Sequence, residues 1–410
     1  MHVVIFEGSR WDALLPLSLT RPTFMLLCGT SSLLTKQIRH LKPTRVTLWV
    51  RPELSEWCGI HLAPNLGIPV QVNTPLDDEP ALLCNGRTLY LSHFERPKEE
   101  CVFVEEGDFI QQAYVKQPGL APEDVRERSQ TWMSLRKLPQ TMPQARFVAH
   151  SWDLISWNEE ALIADSINWR ENIKPRKDGP FHVINELDVM LAEGASLSPG
   201  CVLDASKGPI MLDRGASIGA NAVIMGPCYV GEYSQIAPLA QIRPGCSIGP
   251  MCKVGGEVSN SIIIGYSNKA HEGYLGDSYV GEWVNLGAGT TTSNLKNTYG
   301  EVDMHIAGKT IATGRRTLGS VIGDHTKTAI GTRLTSGTYV GFNCMIAQAA
   351  QAPRFLKSLT FLTEKGPEPF EMEKAIDIAQ RMLDRRHKRL AEVDEQVFRY
   401  AAEAAKLAEG

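Results

Sequence analysis

The sequence predicts an α/β domain, then a parallel β-solenoid, then a C-terminal amphipathic helix. Three observations carry that prediction. Aliphatic residues stand six apart without a break at Leu212, Ile218, Ile224, Val230, Ile236, Ile242, Ile248 and Val254. That period fits neither a helix nor an ordinary strand, but it fits a triangular coil with one six-residue segment on each side. Short apolar strands alternate with helical stretches before residue 175, the pattern of a largely parallel sheet. A segment without proline or glycine, residues 371–407, places Ile376, Leu383, Leu390, Val397 and Ala404 seven apart.

The elements follow in order. Residues 3–6 read as a first strand and 7–10 as the loop after it. A helical stretch over 30–41 precedes a second strand at 46–50. Residues 82–84 make a third, ending at Asn85-Gly86-Arg87. This domain is assigned to 1–175, with a polar, proline-bearing linker at 174–180. The solenoid is assigned to 176–352. In it the repeated aliphatic points inwards and stacks on its equivalents above and below. Gly219, Gly231, Gly249 and Gly255 each follow such an aliphatic, as glycine would where a corner needs unusual dihedrals. The register returns at Val280, Leu286, Ile322, Leu334, Val340 and Ile346. Pro353 closes the repeat. The extension 353–410 carries a helix that either joins a short coiled coil or lies on the chain's own solenoid.

Composition narrows the function classes. A chain of 410 residues, 43% hydrophobic and 21% charged, reads as an ordinary globular protein of two or three domains. A formal net charge of −4 gives no reason to expect nucleic acid or an anionic membrane as partner. No apolar stretch has the length of a signal peptide or a membrane span. Nine cysteines, odd in number and without a CxxC pair, read as reduced thiols and point to a cytoplasmic setting.

The residues with chemistry cluster late in the solenoid. His271-Glu-Gly-Tyr274-Leu-Gly276-Asp277 is followed by Asn285-Leu-Gly287-Ala288-Gly289-Thr290 and then by Asn294. An imidazole with a pKa near neutrality suits proton removal from an attacking amine. A lone histidine on a solenoid loop is otherwise a surface or packing residue. The whole block resembles the acetyltransferase half of the bifunctional N-acetylglucosamine-1-phosphate uridylyltransferase/glucosamine-1-phosphate acetyltransferase family. There H-x-x-Y-x-G-D precedes V-N-I-G-A-G-T and an asparagine.

That resemblance implies a left-handed β-helix of hexapeptide repeats, acetyl-CoA as acyl donor, an amino-sugar phosphate as acceptor, and a homotrimer. It makes His271 the catalytic base, Glu257 its orienting carboxylate, and Asn294 a member of the catalytic set. Tyr274, Asn285 and Asn294 would position the sugar, and Arg243 would meet its phosphate. Ala288 would face the thioester carbonyl of acyl-CoA. Asn285 and Asn294 have a plain alternative as corner residues, since asparagine tolerates left-handed backbone. The family's paired lysines are missing from residues 258–262, and its later lysine falls at Gly300, with Lys296 close by.

The first domain carries a thinner signal. Pro16-Leu17-Ser18 and Arg21-Pro22 resemble the opening signature of sugar-1-phosphate nucleotidylyltransferases. By that resemblance Gly8, Ser9, Arg10 and Arg21 form the nucleotide cradle, for UTP or dTTP. Arg10 and Arg21 otherwise pair with local acids such as Glu7 and Asp12. The family's Mg²⁺-holding Gly-Asp appears as Asn85-Gly86-Arg87, so the metal ligands are unknown, and Gly107-Asp108 offers a carboxylate elsewhere. Elements along the chain, Leu14 to Pro22, Ser151-Trp-Asp-Leu154, Gly265-Tyr-Ser-Asn-Lys269 and Ile322-Gly-Asp-His325 among them, are similar to an alternative bacterial family of such bifunctional enzymes. The expected function is nucleotide-sugar biosynthesis. The rival is a trimeric scaffolding or regulatory protein with a degenerate nucleotide-sugar domain.

Overall fold

The computed structural model describes every residue except 106–108, 117–118, 126–128, 143 and 173–178, and the side chains of 170–172. Gly107-Asp108 and most of the expected linker therefore lie outside the described residues. The first sheet runs Val70–Val72, Arg45–Trp49, His2–Phe6, Ala81–Asn85, Phe109–Val115, Cys101–Glu105. Its first three joins are parallel and its last two antiparallel. His2–Phe6 and Ala81–Asn85 are buried along their whole length, which explains their unbroken apolar runs. The helix Leu33–Leu41 starts where Ser32 Oγ accepts from Thr35 N at 3.2 Å. It stops at Lys42, in the left-handed region.

The second half is a parallel β-solenoid with three faces. Strands on each face pair with the next coil in strict register. Val230, Ile248, Ile263, Val280, Ile322, Val340 and Leu356 are successive partners on one face. Ile224, Ile242, Val258 and Leu275 are successive partners on another. All eight aliphatics of the six-residue run are buried in one core cluster. Each contributes roughly 1.5–3 kcal/mol by leaving water, which is why the period dominates the sequence.

Three expectations need correction. The glycines after the aliphatics are not in the left-handed region. Glycine is required there by the neighbouring coil: a Cβ at Gly249 would lie 1.7 Å from the Ile264 carbonyl oxygen, and one at Gly219 2.4 Å from Pro238 N. Pro353 does not end the coil either, since Phe355–Leu356 and Thr360–Thr363 still pair in parallel with the preceding turn. The C-terminal helix is two helices, Met372–Asp384 and Glu392–Glu409. Their apolar faces lie on the chain itself, the second of the two arrangements foreseen.

One face of the solenoid is covered and two are open. On the covered face lies the helix Ser151–Asn172, whose Leu162 packs with Met190, Met211 and Tyr229. Asn158 ties three parts together: its Oδ1 accepts from Gly29 N at 2.7 Å and Ser247 Oγ at 3.0 Å, and its Nδ2 donates to Gly245 O at 2.8 Å. A hairpin, Val302–Ile306 with Lys309–Arg315, leaves the coil between Thr292 and Ser320 and packs into a second cluster with Trp152 and Ile155 of that helix. The helix Glu392–Glu409 closes the junction. Its Tyr400 hydroxyl accepts from Arg51 in the first domain at 3.1 Å, and its Glu409 accepts from the Tyr339 hydroxyl at 2.6 Å. Among the described residues no helix is long and apolar enough to cross a membrane.

Candidate functional site

His271 sits on a corner of the prism, between the strands Asn268–Lys269 and Tyr274–Gly276, away from the covered face. Its side chain is exposed. No hydrogen bond to its ring is found among the described residues. The face that follows the corner carries a polar ladder built by strand register. Gln241–Ile242, Glu257–Ser259 and Tyr274–Gly276 lie on consecutive coils, with Glu257 opposite Tyr274. Arg243 Nε and Glu257 Oε1 are 2.7 Å apart. Asn294 Nδ2 donates to the Tyr274 hydroxyl at 3.2 Å and to Asp277 Oδ2 at 2.6 Å. Asn260 Nδ2 donates to the other oxygen of Asp277 at 2.7 Å. Burial first, then the negative charges of Asp277 and Glu257, push the Tyr274 phenol up, so it stays protonated.

The structure therefore gathers Arg243, Glu257, Tyr274 and Asn294 on one face beside His271. It corrects one role: Glu257 is engaged by Arg243 and not by the imidazole. Asn285 is on the adjacent face, paired between Asn268 and Lys327. The turn bearing Ala288 lies on the next coil directly above, with Gly289 N donating to Glu272 O at 3.2 Å. The Ala288 carbonyl accepts from Gly331 N at 2.7 Å, while its N–H has no acceptor among the described residues.

Two contributors escaped sequence reasoning. Asp277 stood in the motif without a role, and it is the acid that holds Asn294. Lys269 occupies an inward position, stacked on Val254 where an aliphatic belongs. Its Nζ donates to the carbonyls of Gly255 and His271, each at 2.9 Å, and so fixes the turn that presents the histidine. A cation in an aliphatic register was the available signal. Burial pushes its pKa down to about 8, with Glu272 opposing. The unfolded chain, near 10.5, then holds more protons between those two values, so wild-type stability rises with pH across that window. The stability of wild type relative to Lys269→Met is expected to grow between about pH 7.5 and about pH 10. Thermal melts of both proteins check this, and a pH-independent difference contradicts it.

The first domain has its own cleft of about 640 Å³ at the ends of the parallel strands, lined by Gly8, Ser9, Trp11, Trp49, Arg51 and Tyr400 among others. Gly8 and Ser9 line this cleft. Arg10 pairs with its neighbour Asp12 at 3.3 Å. Arg21 is a correction: it is buried against the solenoid, ion-paired with Asp324 and with Glu282 at 3.3 Å, and does not line the cleft. Among the described residues the cation lining the cleft is Arg51, already engaged. Its Nε donates to Glu7 at 2.8 Å, its Nη2 to Ser18 O at 2.6 Å, and its guanidinium lies 4.0 Å from the Trp11 ring centroid. The strand end does not fit a metal site. Asn85 Nδ2 donates to Ile110 O at 3.2 Å, and Arg87 lies over the Phe109 and Phe147 rings. No group of three or more His, Cys, Asp or Glu able to hold a metal ion is gathered among the described residues.

Residues 3–172 match the family model described as sugar nucleotidyl transferase. The bifunctional sugar-1-phosphate nucleotidylyltransferase/acetyltransferase of Sulfurisphaera tokodaii is 37% identical over 150 residues, 36% of this chain and 37% of that protein. The bifunctional protein GlmU of Methanocaldococcus jannaschii is 35% identical over 161 residues, 39% of each chain. The matched segments thus span about two fifths of these relatives. A solved UDP-N-acetylglucosamine acyltransferase from Campylobacter jejuni is 13% identical with a TM-score of 0.31, over 55% of this chain and 95% of that one. At that level it says nothing about activity.

Proposed function

We propose that the solenoid transfers an acyl group from acyl-CoA to the amine of an amino-sugar phosphate, with His271 as general base. The ladder from Arg243 to Asn294 beside an exposed histidine carries this reading. Tyr274 and Asn294, held by Asp277, would orient the sugar, and the half-exposed Arg243 would meet its phosphate. As nitrogen attacks the thioester carbonyl, His271 takes the amine proton. The developing oxyanion would meet the Ala288 N–H, and the thiolate leaves as the amide forms. The direct test is thiol release from acetyl-CoA that depends on both an amino-sugar phosphate and His271.

The His271 side chain is exposed, so in this reading the pocket needs further walls. In this reading a homotrimer supplies them, its open faces meeting those of neighbouring copies. Light scattering is expected to give about three times the chain mass, in line with closed symmetric assembly. A monomer at micromolar concentration contradicts the shared pocket.

For the first domain the reading is recognition of a nucleotide or nucleotide-sugar in the Gly8–Ser9 cleft. Transfer is the stronger claim, and one observation favours binding alone: the cleft's arginine is already engaged, and the strand end holds Arg87 where a metal-binding acid belongs. Calorimetry with UTP and dTTP, with and without Mg²⁺, separates the two. Heat that requires Mg²⁺ supports transfer, and metal-independent heat supports binding alone.

A further inference from the structure

A second cavity, of about 570 Å³, lies where the first domain, the solenoid and the C-terminal helices meet. It is separate from the Gly8–Ser9 cleft and from the His271 corner. Successive coils place Tyr266, Trp283 and His325 at one corner, each in the left-handed region, with φ of 52°, 57° and 58°. Bulky residues seldom adopt that conformation, where glycine or asparagine is favoured. Their rings form a stacked column. Tyr266 and Trp283 stack at 4.5 Å with an interplanar angle of 18°, and Trp283 and His325 at 6.2 Å and 21°. All three line the cavity.

Charge on the walls is uneven. The acids Glu282 and Asp324 are engaged by Arg21. Asp394 accepts from Trp57 Nε1 at 3.1 Å and from Ala391 N at 2.9 Å. Lys388 and Arg389 stand exposed at the rim; neither is within ion-pair distance of an acid among the described residues, though Lys388 is near enough to favour the charged form of Glu282. Lys388 Nζ is 5.2 Å from the Tyr266 ring centroid. Two side chains of the wall, both more than nine-tenths buried, carry atoms without a hydrogen-bond partner among the described residues, Arg21 Nε and His325 Nδ1. Buried polar atoms of this kind are normally satisfied, so each calls for an explanation.

We infer that this junction is a binding site for a nucleotide, a flat heteroaromatic ring packing against the Tyr266–Trp283–His325 column with its phosphate at Lys388 and Arg389. The source is either a uridine nucleotide or an adenine nucleotide. Both share the ring-plus-anion chemistry that the walls offer. The ligand would touch all three parts of the chain at once.

The test is calorimetry on the full-length protein in EDTA, with UDP, ADP and inorganic phosphate as separate probes. UDP or ADP is expected to bind and phosphate alone to bind far more weakly; which nucleotide is tighter identifies the source. Trp283→Leu is expected to weaken the nucleotide about 10-fold or more by removing the stack. Lys388→Glu, on an exposed turn where folding is not at risk, is expected to weaken it by about 10-fold. Trp11→Leu, in the other cleft, is expected to leave this affinity unchanged. The inference is overturned by any of three results: no heat with either nucleotide, phosphate binding as tightly as nucleotide, or binding lost in Trp11→Leu and kept in both Trp283→Leu and Lys388→Glu.

Discussion

His271→Ala is expected to lower acetyl-CoA-dependent acylation of an amino-sugar phosphate by about 10²–10⁴-fold, the range for loss of a general base. The fold should not move. The imidazole is exposed, and Lys269 holds the residue through its backbone carbonyl, which alanine keeps. Circular dichroism and light scattering matching wild type, with turnover collapsed, is the expected pair of results. The loss should appear in kcat, since the base acts in the transition state, while KM for acetyl-CoA changes little. A His271→Ala protein with wild-type turnover removes the mechanism.

The second large effect concerns the junction. Arg21 and Asp324 are both buried, and Thr20 Oγ1 also donates to Asp324. Removing one partner of such a pair leaves an uncompensated buried charge, at about 3–5 kcal/mol. Arg21→Leu and Asp324→Leu are each expected to lower the denaturation midpoint of the intact chain markedly. The double variant should be less destabilised than the sum of the two, because Arg21 and Asp324 no longer leave each other unpaired, although Glu282 loses Arg21 in both Arg21 variants. Urea melts followed by far-UV and tryptophan signals check this. Strict additivity, or an Arg21→Leu variant that loses only nucleotide binding and no stability, restores Arg21 to the phosphate-binding role its sequence context implies.

The outcome for Arg21 shows where sequence reading stops. Its neighbours Pro16 to Pro22 resemble a phosphate loop, but the acids it meets are about 260 and 300 residues further on, and no local pattern announces them. The solenoid was the opposite case. A strict six-residue period with one inward side chain per face states the fold directly, because each coil repeats the same burial. The corner glycines were located correctly and explained wrongly. Sequence shows that a Cβ is absent, not whether dihedrals or the next coil require it. The heptad in the tail reported a real apolar stripe, while its occupant, the chain's own junction, depended on tertiary packing. At the candidate site the motif residues Tyr274, Asp277 and Asn294 are joined by hydrogen bonds that spacing alone did not state. The Arg243–Glu257 pair was legible only once strand register put the two on adjacent coils.

The most direct test of the acyl-transfer reading is thiol release by the wild-type protein from acetyl-CoA against a panel of amino-sugar phosphates, with mass spectrometry of each acceptor. The predicted result is stoichiometric thiol release with at least one of them, the acetyl group on the amine nitrogen, and none with the N-acetylated sugar. No acceptor-dependent release across the panel, from protein shown to be trimeric, contradicts the account and leaves the solenoid a scaffold.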